Sequence, residues 1–190
     1  MTDADRMPPL DSATMTPAQR EAAQALAAGP RGGVKGPFIP LLRSPQLMDR
    51  LQKVGEYLRF HSSLQPWISE FVVLVVSRQW TQQFEWFVHV TLALDAGVKP
   101  ETIASLAESR RPHTMAADEE IAYDFCTELL RTKGVSELTY RRAVQEFGEQ
   151  GVVDMLGLLG YFTTVSMVMN VAHTPPPRDD RVSPLASLPA

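Results

Sequence analysis

Apolar residues recur along this chain three and four apart, and clusters of Pro, Gly, Ser and Thr cut the pattern into segments of helical length. Thr16-Pro17-Ala18-Gln19 joins an N-cap, a first-turn proline and the Gln of a capping box, which predicts a helix running to Ala28 and stopped by Gly29-Pro30. Ser44-Pro45 opens a helix with Leu47, Leu51, Val54 and Leu58 on one face. Pro66 opens the next, through Ile68, Val72 and Val75 to about Gln79. Thr81 is the expected N-cap of a helix that reaches Ala96 and stops at Gly97. Pro100 starts a short helix through Leu106, and Asp118 is expected to cap one that turns Ile121, Phe125 and Leu129 inward. Ser136 caps a helix through Phe147, and an apolar helix from about Val152 to Val171 closes the set. Strand-like alternation occurs nowhere, so the class is all-α, with about seven to eight helices.

Between these helices lie two irregular stretches. Residues 29–43 hold four glycines and three prolines, yet Phe38, Ile39, Leu41 and Leu42 need burial. Such a loop packs over another part of the fold, as a lid does. From Thr174 the chain carries five prolines and little to bury, and is either disordered or an arm extended onto a neighbouring subunit. The division is an N-terminal extension with one peripheral helix (1–33), a helical domain (34–173) and a Pro-rich tail (174–190).

A net charge of −4 with scattered basic residues gives no electrostatic footprint for nucleic acid. The single cysteine, Cys126, cannot form an intrachain disulfide, and the first residues have neither the basic start nor the apolar run of a signal peptide, so the cytoplasm is the expectation. Met155 to Ala172 contains no charge and approaches the length of a membrane span. It also carries Thr163, Thr164, Ser166 and Asn170 without a basic flank, so a buried or interface helix is expected and no membrane partner.

The chemistry concentrates in residues 70–97. Glu85 and His89 are four apart and share one helical face, with Gln82 three residues before. A carboxylate one turn before a histidine can hold one imidazole N–H and raise ring basicity, leaving the other nitrogen for proton transfer. Glu70 on the preceding helix would complete a Glu–His–Glu relay, and Trp86 could wall the pocket and donate a hydrogen bond. Such a Glu-x-x-x-His pair is common on helices, where it is most often an ion pair. No second histidine stands at zinc-binding spacing, so no metal is expected. Cys126 shares the apolar face of Ala122 and Leu129 and is expected in the core.

Glu70, a long apolar helix and then Glu85-Trp86-x-x-His89-x-x-x-Ala93-x-x-x-Gly97 resemble the signature helix pair of the carboxymuconolactone decarboxylase family, within the alkylhydroperoxidase D-like superfamily. Gly36-Pro37-Phe38 with Leu41-Leu42-x-Ser44-Pro45 resembles the loop leading into that domain, and Tyr123-Asp124-Phe125 and Gly157-Leu158-Leu159-Gly160-Tyr161 extend the likeness over residues 34–177. The peroxidase branch of the superfamily uses a Cys-x-x-Cys pair. Those positions are Gln82 and Glu85 here, so the resemblance implies no thiol peroxidase chemistry of that type. Acid–base groups kept without thiols suit the decarboxylase branch, which needs no metal or organic cofactor. The resemblance then implies His89 as proton-transfer group, Glu85 as its orienting partner, Glu70 as second relay carboxylate and Arg78 as anchor for a substrate carboxylate. It implies a homo-oligomer, trimer or hexamer, acting on a small carboxylated unsaturated lactone or cyclic acid. The alternative is a non-catalytic oligomeric binding or assembly protein that keeps the fold.

Overall fold

The computed structural model describes residues 4–177 and 181–187, and among them it is all-helical. The helices are α1 (Pro17–Ala28), α2 (Phe38–Leu41), α3 (Pro45–Phe60), α4 (Pro66–Gln79), α5 (Gln83–Ala96), α6 (Pro100–Ala107), α7 (Ala117–Thr132) and α8 (Glu137–Ala172). Helix α4 is the centre: the unbroken run from Phe71 to Arg78 is buried, because α5, α6, α7 and α8 pack around it. A second, smaller cluster of Leu26, Phe38, Leu41, Leu42 and Met48 fixes α1 and the 29–43 segment to α3.

Where a boundary rests on local bonds, it lies where the pattern predicts. Thr16 Oγ1 accepts the Gln19 N–H while Gln19 Oε1 accepts the Thr16 N–H, closing the capping box of α1. Gly97, at φ 104°, closes α5 in the left-handed region. Helix α8 breaks at Gly148 (φ 69°, ψ 171°), which separates the two helices expected on either side of it.

Three expectations are corrected. Leu47 and Val54 of α3 are 48% and 47% exposed, and the stripe turned inward is Met48, Gly55 and Leu58. Gly55 faces in because the Tyr161 side chain of α8 lies against the helix backbone there, and a β-carbon would displace it and Arg31. Thr81 does not cap α5. Trp80 ends α4, and the N–H groups of Thr81 and Gln82 turn back to the Arg78 and Ser77 carbonyls, a Schellman closure that holds Thr81 at φ 47°. The cap passes to Gln82. Asp118 likewise lies inside the first turn of α7, where its carboxylate accepts the Trp67 indole N–H at 2.8 Å, and Glu119 accepts the Ala116 N–H instead.

The tail is neither free nor an arm onto a neighbour over its described part. Val182 and Leu185 are buried in the main core, and Gln83 holds Leu185 in both directions, its Nε2 donating to the carbonyl at 2.8 Å and its Oε1 accepting the N–H at 2.9 Å. Residues 178–180 and 188–190 of that predicted segment, and 1–3 of the N-terminal extension, lie outside the described residues.

Helix α8 is long and apolar enough to cross a membrane, but 56% of its most apolar window is buried within the fold, where it serves as a core helix. Its Asp154 pins the turn between α3 and α4, accepting from Tyr57 Oη (3.0 Å), Ser62 Oγ (3.1 Å), and the Ser63 N–H and Oγ (2.8 Å each). Burial opposes the charge, and these bonds overcome it, holding the carboxyl below its ordinary range. The turn so fixed carries Arg59, Phe60 and Ser62 to the site described next.

Candidate active site

Because α4 and α5 form an antiparallel hairpin through a three-residue turn, Glu70 on one helix faces His89 on the other. The imidazole lies between two carboxylates: Nδ1 is 2.5 Å from Glu70 Oε2 and Nε2 is 3.2 Å from Glu85 Oε2. Phe162 of α8 meets the ring edge-on at 5.0 Å. The side chains of His89, Glu85 and Glu70 are 5%, 6% and 15% exposed. Burial alone would depress the imidazole, but the Glu70 carboxylate, and then Glu85, outweigh it and raise its pKa from the ordinary 6.5 to about 9. With an acceptor at each nitrogen, His89 is an imidazolium near neutral pH. Nδ1 is hydrogen-bonded to Glu70, while Nε2 faces Glu85 at ion-pair distance.

His89 and Phe162 also form part of the boundary of two cavities. The larger, about 520 Å³, opens on the Glu85 side and is bordered by Arg31, Lys35 and Phe38 of the 29–43 segment, Arg59 of α3 and Tyr161 of α8. The smaller, about 240 Å³, opens on the Glu70 side beside Ser62 and Ser69. Glu85 therefore faces one chamber and Glu70 the other, with the imidazole between them. The 29–43 segment covers the larger chamber, as its apolar anchors imply.

The other sequence-derived candidates fall elsewhere. Trp86 is buried at 2% exposure and borders neither chamber, because one residue beyond Glu85 is a turn of about 100° around the helix. Gln82 stands ahead of α5 as its cap, accepting the Phe84 and Glu85 N–H groups at 2.5 and 3.1 Å and donating to Asn170 Oδ1 at 3.0 Å. Its role is to fix the first turn that presents Glu85. Arg78 does not share Glu70's side: eight residues are just over two turns, leaving it roughly 80° around the helix and about 12 Å along it. It donates to Ser109 Oγ and to the Ala186 carbonyl at 2.7 Å each, clamping the tail, and burial lowers its pKa.

The cations that do border the His89 chamber are Arg31, Lys35 and Arg59, none of which the sequence pattern singled out. The one available signal was the Gly- and Pro-rich segment with too many apolar residues for a free loop, which contains Arg31 and Lys35. Tyr161 belongs to the segment that carried the family likeness, but no spacing rule ties it to His89. Cys126 is fully buried and burial pushes its thiol up, away from the thiolate form. Among the described residues no group of three His, Cys, Asp or Glu side chains is placed to hold a metal ion. No family model matches the sequence, and no curated protein matches it.

Proposed function

We propose that this protein is a cofactor-free acid–base lyase of the carboxymuconolactone decarboxylase type, acting on a small carboxylated unsaturated lactone or cyclic acid. The observation that carries the reading is the Glu70–His89–Glu85 relay set into the wall of a 520 Å³ chamber rimmed by Arg31, Lys35 and Arg59. A carboxylated ring finds cations for its charge on one side and a proton donor on the other.

In this reaction the bond between ring carbon and carboxylate breaks and CO₂ leaves. The electron pair moves through the conjugated system onto the carbonyl oxygen as a dienolate. The carbon then takes the proton on His89 Nε2, leaving a neutral imidazole that keeps its Nδ1 proton against Glu70, and a solvent proton returns to Nε2 from the larger chamber on the Glu85 side. One proton is consumed per CO₂ released, and the electron count is unchanged. A positioned donor of this kind contributes about 10² to 10⁴ in rate.

The resemblance carried by residues 34–177 supports the same reading, as does the absence of a second cysteine for a thiol peroxidase pair. The apolar row Val153, Leu156, Met167 and Val171, exposed on α8, supports association of copies. The test is a screen of carboxylated lactones and cyclic keto acids for CO₂ release, repeated with His89→Gln. Turnover is expected to vanish in the variant while its circular dichroism and assembly persist; turnover unchanged by the substitution would defeat the relay.

A further inference from the structure

We propose that Arg31 and Tyr161 form a binding site for an enolate-type oxygen anion in the larger chamber, a role that rests on the lyase reading. The dienolate left by CO₂ loss needs donors where its charge gathers, and His89 and Glu85 are occupied with the proton. The structure supplies a second polar centre in the same wall.

Tyr161 is 7% exposed and borders the chamber. Phe162 stands beside it, meeting the Tyr161 ring at 5.2 Å and the His89 ring at 5.0 Å. Proton donor and phenol are thus set on either side of one aromatic ring. Burial raises the phenol to about 12, so it keeps its proton and can only donate outward when Arg31 occupies its oxygen. Among the described residues, no protein acceptor takes that proton.

Arg31 also has donors to spare. Its guanidinium lies over the Phe38 ring at 4.7 Å, no carboxylate among the described residues pairs with it, and its Nε is buried without a hydrogen-bond partner. A buried guanidinium N–H left open is costly unless a ligand completes it.

Gly55 holds the two groups together. A β-carbon there would overlap the Tyr161 hydroxyl and lie 2.5 Å from its Cζ and 2.7 Å from Arg31 Nη2. Tyrosine and arginine therefore meet over one bare patch of α3 backbone in the chamber wall, where a ligand oxygen can take the phenol O–H and a guanidinium N–H. The site selects a planar conjugated carbonyl compound: aromatic rings to stack on, two donors for the oxygen, and the imidazolium beyond Phe162 for the carbon.

The experiment uses para-nitrophenol, whose ionised form is coloured and carries charge on a conjugated oxygen. The intact protein is expected to bind the phenolate in preference to the phenol, by about tenfold or more. Tyr161→Phe and Arg31→Gln are each expected to erase most of that preference while leaving neutral phenol binding and the thermal midpoint in place, and Arg31→Lys to restore only part of it. No preference in the intact protein, or a preference untouched in both variants, overturns the assignment. Unchanged turnover in His89→Gln would sink the lyase reading but leave the phenolate result standing, so the two fail separately.

Discussion

Titration of the folded protein probes the relay without any substrate. His89 carries a folded pKa of about 9 against an ordinary 6.5, because Glu70 and Glu85 outweigh the burial that opposes its charge. A group whose pKa is raised by folding stabilises the fold fully below its unfolded pKa, and that contribution disappears as pH rises through the folded value. The window therefore runs from about 6.5 to about 9. Its size follows from a gap of roughly 2.5 units at about 1.4 kcal/mol each, or about 3–4 kcal/mol. Urea unfolding of the wild type and of His89→Gln, at one protein concentration and a series of pH values, isolates the relay because titrations remote from it cancel in the difference. Wild-type stability relative to the variant should fall by about 3–4 kcal/mol across the window, with the denaturant slope unchanged. A difference that stays flat from near-neutral to alkaline pH would refute the imidazolium held between two carboxylates.

Three further outcomes follow from the packing. Leu185→Ala, removing a core side chain supplied by the tail, should cost about 2–3 kcal/mol in urea unfolding; a cost near zero would show the tail is not docked in solution. Cys126 should resist a thiol reagent until the protein is denatured, and Cys126→Ser should retain any turnover found with the screen. Gly148→Ala places a side chain at φ 69°, ψ 171°, a region nearly exclusive to glycine, and should lower stability by about 1–3 kcal/mol although nothing lies within 4 Å of the added carbon. A thermal midpoint unchanged by that substitution would mean the break in α8 is not held.

How far the sequence could be read depended on the range of the bonds involved. The Thr16 box and the Gly97 stop were legible because each is settled by residues within one turn. So was the Glu85–His89 pair, and Glu70, read from the preceding helix and the family resemblance, reaches it because the α4–α5 turn is short. The inward face of α3 was legible only in Leu51 and Leu58, since Leu47 and Val54 extend as good an apolar stripe beside them as Met48 and Gly55, which turn in instead. The choice belongs to Tyr161, about a hundred residues on. Thr81 has the right side chain for a cap, but the preceding helix had already claimed its backbone. Arg31, Arg59 and Tyr161 come together only through tertiary packing of three separate elements, which no spacing rule encodes. Arg78 lies close to a whole number of turns from Glu70, but the remaining turn of roughly 80° directs it to Ser109 and the tail rather than to the chamber.

Docking of the tail has a consequence for how the chain is made. Synthesis runs from the N-terminus, so every helix from α1 to α8 emerges from the ribosome before Val182 and Leu185 do. Until they are free to dock, the helices have a gap in their shared apolar interior, with the Gln83 amide and Arg78 guanidinium waiting for main-chain partners that are the last to leave the ribosome. The newly made bundle is thus sticky and unsealed until its tail is released, and a chaperone would find its target at that gap rather than in any single helix.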